Sequence, residues 1–270
     1  MGGARDGDSD GPAAPGRTGP VNMAVDQALL ESVAGGARPV IRLYRWSTAT
    51  LSFGRNQPAR GIYDEAAARA RGIDFVRRPT GGQAVLHDNE LTYAVVAPIA
   101  AIGKPRAAYR RINEAIVEGL RGVGVNAAVA GASGDAGRGA SRDWTAACFR
   151  VPERGEVVAG GRKLVGSAQR TERHTILQHG SILLGGSQAA AEALLLRGSG
   201  APAIEAPGWT TVEAELGRRP ALETVVRAVL TGFETVLGIR LATSSLSVAE
   251  RQAVDRWTER FASPDWTWRR

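Results

Sequence analysis

The sequence predicts an α+β fold: a mixed, mainly antiparallel sheet with flanking helices. Three observations lead there. Stretches such as "PVIRLYRW" and "GRKLVGSAQ" alternate with the two-residue period of a strand. "YRRINEAIVEGLRGVG" and residues 220–237 carry apolar side chains at spacings of three and four, the period of a helix. Strands come in blocks with helices around them, not in strict alternation.

The elements follow in order. Residues 1–19, "MGGARDGDSDGPAAPGRTG", have no apolar core and read as a disordered tail. "NMAVDQALLESVAGG" is a helix that Asn22 can cap, with Met23, Leu30, Val33 and Ala34 at helical spacing and Asp26 in its first turns. "PVIRLYRW" is a strand with Ile41, Leu43 and Arg45 on one face. "TLSFGRNQ" is a short strand ending in a turn. "DEAAARARG" is a helix stopped by Gly72, and "IDFVRR" is a strand. Pro79, Gly81 and Gly82 then break the chain ahead of a strand leading to the apolar "LTYAVVAP". In the next helix Tyr109, Ile112, Ile116, Leu120 and Val123 step by three and four, and Gly122 and Gly124 end it.

Residues 130–143, rich in Gly, Ala and Ser, are expected to form a flexible loop. "ACFRV", "EVVAGGRKLVGSAQR" and "ILQHGSILL" read as strands, the second a hairpin turning at residues 159–161. A helix opens at Pro220 and runs to Leu237, and a last one covers residues 247–261. No internal repeat is present, so residues 20–270 are expected to form a single catalytic-type domain.

Composition limits the function. No run approaches the roughly 18–20 apolar residues of a membrane span, and the N-terminus lacks a secretory core. Cys148 is the one cysteine, so no intrachain disulfide can form, which fits a reducing, cytoplasmic setting. The net charge of +7 attracts acidic partners: nucleic acid, anionic membrane or acidic protein. The arginines are spread along the chain and do not cluster with aromatics, so neither nucleic acid nor membrane is the expected partner.

Three motifs can carry chemistry. In Arg77-Arg78-Pro79-Thr80-Gly81-Gly82, the glycines let backbone N–H groups approach a ligand and the arginines add charge, which suits a phosphate or carboxylate. An ordinary hairpin turn is the plain alternative, and no Gly-Lys-Ser/Thr follows to make a nucleotide phosphate loop. In the strand after Gly161, alternation places Lys163, Val165, Ser167 and Gln169 on one face, and Leu164, Gly166 and Ala168 on the other. A Lys-Ser-Gln face beside glycine suits a ligand wall; a solvent-facing strand is the alternative. Lys163 is one of only two lysines among 34 basic residues. Cys148, flanked by Ala and Phe, is a core residue unless a nearby cation raises its thiolate fraction from the few per cent expected at a thiol pKa of about 8.5. His87 and His179 sit in motif-like surroundings, and His174 in an exposed turn. The histidine spacing predicts no metal site.

In order along the chain, "NMAVDQALL", "LYRWSTATLSFGRNQ", "RRPTGGQAVLHDNELTYAVVAP", "ACF", "GRKLVGSAQR" and "LQHGSILL" resemble the lipoate/biotin protein ligase superfamily, from about Val21 to the C-terminus. They are most similar to the cysteine-dependent octanoyl-[acyl-carrier-protein]:protein N-octanoyltransferases. The resemblance implies a mixed sheet with helices on one side. It implies Cys148 as acyl-accepting nucleophile and Lys163 as the lysine that contacts the acyl carbonyl. Arg78, Thr80, Gly81, Gly82 and His87 fall in its substrate-binding loop and strand, and Gly166, Ser167, Ala168 and His179 join that binding set. One departure is Gly155, where relatives often carry an aromatic before the Glu.

The implied reaction moves an octanoyl group from acyl carrier protein, through a Cys148 thioester, to a lysine of a lipoyl domain such as glycine cleavage H protein or a 2-oxoacid dehydrogenase E2 subunit. It requires no cofactor. The alternatives on this scaffold are an ATP- and Mg-dependent lipoate ligase subunit that takes an accessory domain from a separate chain, and an amidotransferase whose donor is an already octanoylated lipoyl domain. A biotin ligase shares the scaffold as well. A ligase makes an acyl adenylate that the target lysine attacks directly, so an enzyme cysteine favours transfer. The added C-terminal domain of the larger ligases is also expected to be absent.

Overall fold

The structure, a computed structural model, describes residues 16–131, 154–196 and 208–270. Cys148, "ACFRV" and most of the expected loop 130–143 lie outside the described residues. In chain order the elements are α1 (Gly19–Ala34), β1 (Val40–Tyr44), β2 (Thr50–Phe53), α2 (Glu65–Ala70), β3 (Asp74–Arg77), β4 (Val85–His87), β5 (Glu90–Pro98), α3 (Ile99–Ile102), α4 (Pro105–Gly122), β6 (Ala127–Val129), β7 (Val157–Ala159), β8 (Arg162–Glu172), β9 (Thr175–Leu183), α5 (Ala189–Glu192), α6 (Val212–Leu216), α7 (Leu222–Leu237), α8 (Val248–Ala262) and α9 (Pro264–Thr267).

The strands form two sheets. The larger has the order β1-β5-β9-β8-β7-β6 with every pair antiparallel. The smaller has the order β3-β2-β4, with β2 parallel to β3 and antiparallel to β4. The α+β class and the mainly antiparallel character therefore agree with the sequence. The division into two sheets was not expected, and the "RPTGG" turn is no hairpin: β3 and β4 flank β2 on opposite sides.

Helices cover both faces of the large sheet, not one. Leu43, Tyr93, Val95 and Ile176 point toward α4 and α7. Their strand neighbours Tyr44, Ala94, Val96 and Leu177 point toward α1 and α8. The period-two alternation feeds two cores because the central strands β5 and β9 are buried on both sides. The small sheet has its own apolar cluster, with Leu51, Phe53 and Leu86 against Tyr63, Ile73 and Leu194.

Local signals explain most element ends. Pro20 lets α1 start at Gly19, and Arg17 already bridges to Trp46, inside the expected tail. Asn22 is accordingly not the cap. It is buried within the helix and donates to the Arg17 and Arg45 carbonyls. Pro105 likewise starts α4 four residues ahead of Tyr109. Ser247 and Glu250 form a reciprocal capping box on α8. Gly160 and Gly161, both at positive φ, make the β7–β8 turn where it was expected. Helices α4 and α7 cross closely at two glycines: a Cβ on Gly232 would lie 2.2 Å from the Ala115 carbonyl oxygen. Among the described residues, no helix is long and apolar enough to cross a membrane.

Candidate active site

Strand β8 carries the irregularity that shapes the site. Val157 pairs with Val165, but Val158 pairs with Lys163, so β8 holds one extra residue at Leu164. This is a β-bulge, and it breaks the alternation. Leu164 and Val165 both enter the α4/α7 core. Lys163 therefore lies on the opposite face from Val165, Ser167 and Gln169. The single polar face predicted for Lys163, Ser167 and Gln169 does not exist. Lys163 instead shares its face with Gly166 and Ala168, whose cross-strand partners on β9 are Ser181 and His179.

Lys163 is almost wholly buried, and its Nζ is 2.6 Å from Oε1 of Glu156, also buried. A buried ammonium is stable in the charged state only with such a counter-charge. Glu156 was missed in the sequence, although the turn at residues 160–161 folds it back toward Lys163. Backbone bonds hold the lysine from the other side: its N–H donates to the Gly208 carbonyl, and its carbonyl accepts from Thr210. Between them, Trp209 joins Val85 and Leu183 in a small apolar cluster.

On the same sheet face, His179 is buried between Asp26 and Thr80. Its Nδ1 is 2.9 Å from Asp26 Oδ2, and its Nε2 is 2.6 Å from Thr80 Oγ1. Tyr44 and Arg42 also donate to the Asp26 carboxylate. An ionised carboxylate only accepts, so Nδ1 carries the proton and the Thr80 hydroxyl donates to Nε2. Burial pushes the His179 pKa below its ordinary value, which keeps the ring neutral despite Asp26. Burial pushes Asp26 up, but the His179 hydrogen bond and the Arg42 charge outweigh it and hold the carboxyl low.

His87 builds a second chain of the same form. Its Nδ1 is 2.8 Å from Glu90 Oε1 and its Nε2 is 2.7 Å from Ser52 Oγ. Arg78 also donates to that Ser52 oxygen, which ties the hydroxyl to the "RPTGG" turn. The ring stacks on Trp46 at 4.0 Å. Glu90 also accepts from Ser181 and Thr92. These chains join the small sheet to the large one. Their hydroxyls, Ser52 and Thr80, are wholly buried.

The "RPTGG" turn uses its arginines internally. Arg78 donates to the Ser52, Gly81 and Gln83 carbonyls. Arg77 donates to Gly54, Gln57 and Thr267 carbonyls. The charge expected to face a ligand thus holds the turn's shape. Gly82 has a φ of +93°, and its carbonyl oxygen packs where a Cβ on Gly54 would lie, 1.9 Å away. Space beside Gly81 is open.

Ser167 lies across the sheet from Lys163. It contacts Tyr93 and Asn113, in a cluster where Gln178 donates to both. Burial drives the Tyr93 phenol up to about 12, so it is protonated at neutral pH. Asn113 also donates to the Gly155 carbonyl at 2.7 Å. Gly155 has a φ of +92°, which disfavours any side chain there, including the aromatic that the family resemblance leads one to expect. His174 is exposed, at the β8–β9 turn.

A family model described as the lipoyl protein ligase A/B catalytic domain matches residues 18–234. The chain belongs to this family. Among curated relatives, octanoyltransferase LipM of Kyrpidia tusciae is 39% identical over 259 residues, covering 92% of this chain and 94% of its own. LipM of Moorella thermoacetica is 38% identical over 92% and 93%. LipM of Bacillus subtilis is 35% identical over 92% and 94%. Solved structures share the fold at lower identity. Lipoate-protein ligase A bound with ATP superposes with a TM-score of 0.77 at 22% identity, over 94% of this chain and 99% of that one. A bi-partite lipoate protein ligase from Thermoplasma acidophilum gives 0.70 at 22% identity, over 94% and 93%. The lipoyl protein ligase A/B match takes in both carboxylate–imidazole chains, the "RPTGG" turn and the Lys163–Glu156 pair.

Proposed function

We propose that the protein is an octanoyltransferase. It takes an octanoyl group from acyl carrier protein onto Cys148 and passes it to a lysine of a lipoyl domain, in lipoate biosynthesis. The observation that carries this reading is the identity of 35–39% with octanoyltransferases LipM over more than nine-tenths of both chains. No ATP, metal or other cofactor enters the reaction.

In the first step the Cys148 thiolate attacks the thioester carbonyl carbon. The new C–S bond forms, the bond to the donor's phosphopantetheine sulfur breaks, and that sulfur leaves as the thiol after taking a proton. In the second step the acceptor lysine, as the free amine, attacks the Cys148 thioester. The amide forms, the Cys148 sulfur leaves, and the amine gives up a proton. Each step passes through a tetrahedral oxyanion. Lys163 donates to that oxygen, and Glu156 holds the ammonium charged and aimed. A compact ammonium suits one carbonyl oxygen better than a planar guanidinium. Val85, Leu183 and Trp209, clustered beside Lys163, supply apolar wall for the acyl chain. His87 and His179 are positioning residues in this reading, since both of their ring nitrogens are engaged within the protein.

Intact-mass measurement after mixing with octanoyl-carrier protein, without ATP, tests this. An octanoyl adduct that disappears in Cys148→Ala is expected. A protein that stays adduct-free and modifies a lipoyl domain only with free acid and ATP would be a ligase instead.

A further inference from the structure

The arginines that are scattered in the sequence come together around Trp266. The guanidinium carbons of Arg269, Arg260 and Arg55 lie 4.1, 4.5 and 6.0 Å from its ring centroid. Arg260 and Arg269 are exposed and Arg55 is half-buried. The ring is fixed: its Nε1 donates to the Arg77 carbonyl at 2.8 Å, and Phe261 meets it edge-on. Arg269 also donates to the Arg55 carbonyl. None of the three arginines has an ion pair among the described residues. Glu172, whose charge reaches Arg55, is bound by Arg170.

Gathering three like charges is unfavourable. Cation–π contact returns only about 0.5–1 kcal/mol for each exposed cation. Burial and the neighbouring guanidiniums hold the pKa of Arg55 and Arg269 below the ordinary arginine value, in line with that crowding. The cluster also borders the candidate site. The Arg55 N–H donates to the Thr80 carbonyl at 2.7 Å, and the Arg77 that holds Trp266 leads into the "RPTGG" turn.

We propose that Arg55, Arg260 and Arg269 form the docking surface for the acidic protein that delivers the octanoyl thioester. The inference rests on the octanoyl-transfer reading for the nature of the cargo. Guanidinium forks match surface carboxylates. Trp266 is buried beneath the arginines and offers no open face for stacking a base, which disfavours single-stranded nucleic acid. The donor fits better than the acceptor. Its thioester hangs on an arm bearing a phosphate, whereas the acceptor presents a lysine that this cluster repels.

Steady-state kinetics of Arg260→Gln/Arg269→Gln test the surface with two donors: octanoyl-carrier protein, and octanoyl-pantetheine, which has neither protein nor phosphate. The expected result is a KM for the protein donor raised about tenfold at low salt, with kcat and the pantetheine reaction unchanged. The gap should shrink as salt screens the wild type. Arg260→Lys/Arg269→Lys should recover much of the loss, and Arg218→Gln/Arg240→Gln, with the same charge change at other exposed arginines, should show none. An unchanged protein-donor KM overturns the proposal. So does equal loss on both donors, or an altered KM for the lipoyl domain alone. Wild type inert toward both donors would instead defeat the transfer reading. Fluorescence anisotropy with labelled carrier protein then decides the surface separately. Binding that weakens in the Gln pair supports it, and no binding by wild type overturns it.

Discussion

Nζ of Lys163 sits 2.6 Å from Oε1 of Glu156, and both side chains are buried in a chain where arginine fills nearly every other basic position. Removing the carboxylate in Glu156→Gln disfavours the buried ammonium relative to the neutral amine. Turnover should fall by about ten- to a hundredfold, by analogy with the loss of a carboxylate that orients a metal ligand. The alkaline limb of the pH–rate profile should move to lower pH. A merely structural Glu156 would lower the yield of folded protein and leave that limb in place.

Lys163→Arg keeps the charge and replaces its shape. The protein should fold, with a melting temperature close to wild type, and lose most of its turnover. Full activity in this variant would remove the lysine from the mechanism.

Acid should destabilise the protein in two stages. His179 is held below its ordinary value of 6.5, so the folded state keeps a neutral ring while the unfolded chain gains a proton as pH falls through about that value. Asp26 is held below its ordinary 3.8, and its contribution, present above that value, is lost as pH falls further. Stability by urea titration should therefore decline from pH 7 toward 5, then again below pH 4. His179→Gln should flatten the first decline and also weaken the second, because the His179 hydrogen bond helps hold the Asp26 carboxyl low.

Gly232→Ala would place a Cβ 2.2 Å from the Ala115 carbonyl oxygen and 2.6 Å from the Gly119 nitrogen. Both are backbone atoms of the facing helix, so α4 and α7 must separate. A loss of about 1–3 kcal/mol is expected from overpacking, read as a lower denaturant midpoint. An unchanged midpoint would mean that α4 and α7 can separate at this crossing without cost.

Arg78→Gln removes donors from the Ser52, Gly81 and Gln83 carbonyls together. Amide exchange across residues 80–83 should accelerate by at least tenfold, while exchange in β9 stays near wild type. Unchanged protection of the turn would show that the glycines and Thr80 suffice to hold it.

Much of the secondary structure was legible because its signals are local. Gly160 and Gly161 marked the β7–β8 turn, Ser247 marked the start of α8, and helical spacing marked α4 and α7. The second sheet was not legible. Its pairing of β2 with β3 in parallel depends on contacts that alternation does not encode. The histidines were recognised, but their partners were not: Asp26 is 153 residues from His179. Arg55 and Trp266 likewise meet only through the fold. The face assignment on β8 failed for a narrower reason. A period of two holds only while neighbouring strands keep step, and one residue at Leu164 breaks step with β7.

That extra residue makes chain length a design variable in this hairpin. Between Glu156 and Gly166, an exchange of one apolar side chain for another changes packing, but the deletion of Leu164 sends the ammonium through to the α4/α7 side of the sheet. Anyone transplanting the hairpin to another scaffold, or trimming it for expression, should preserve the count of residues before their identities.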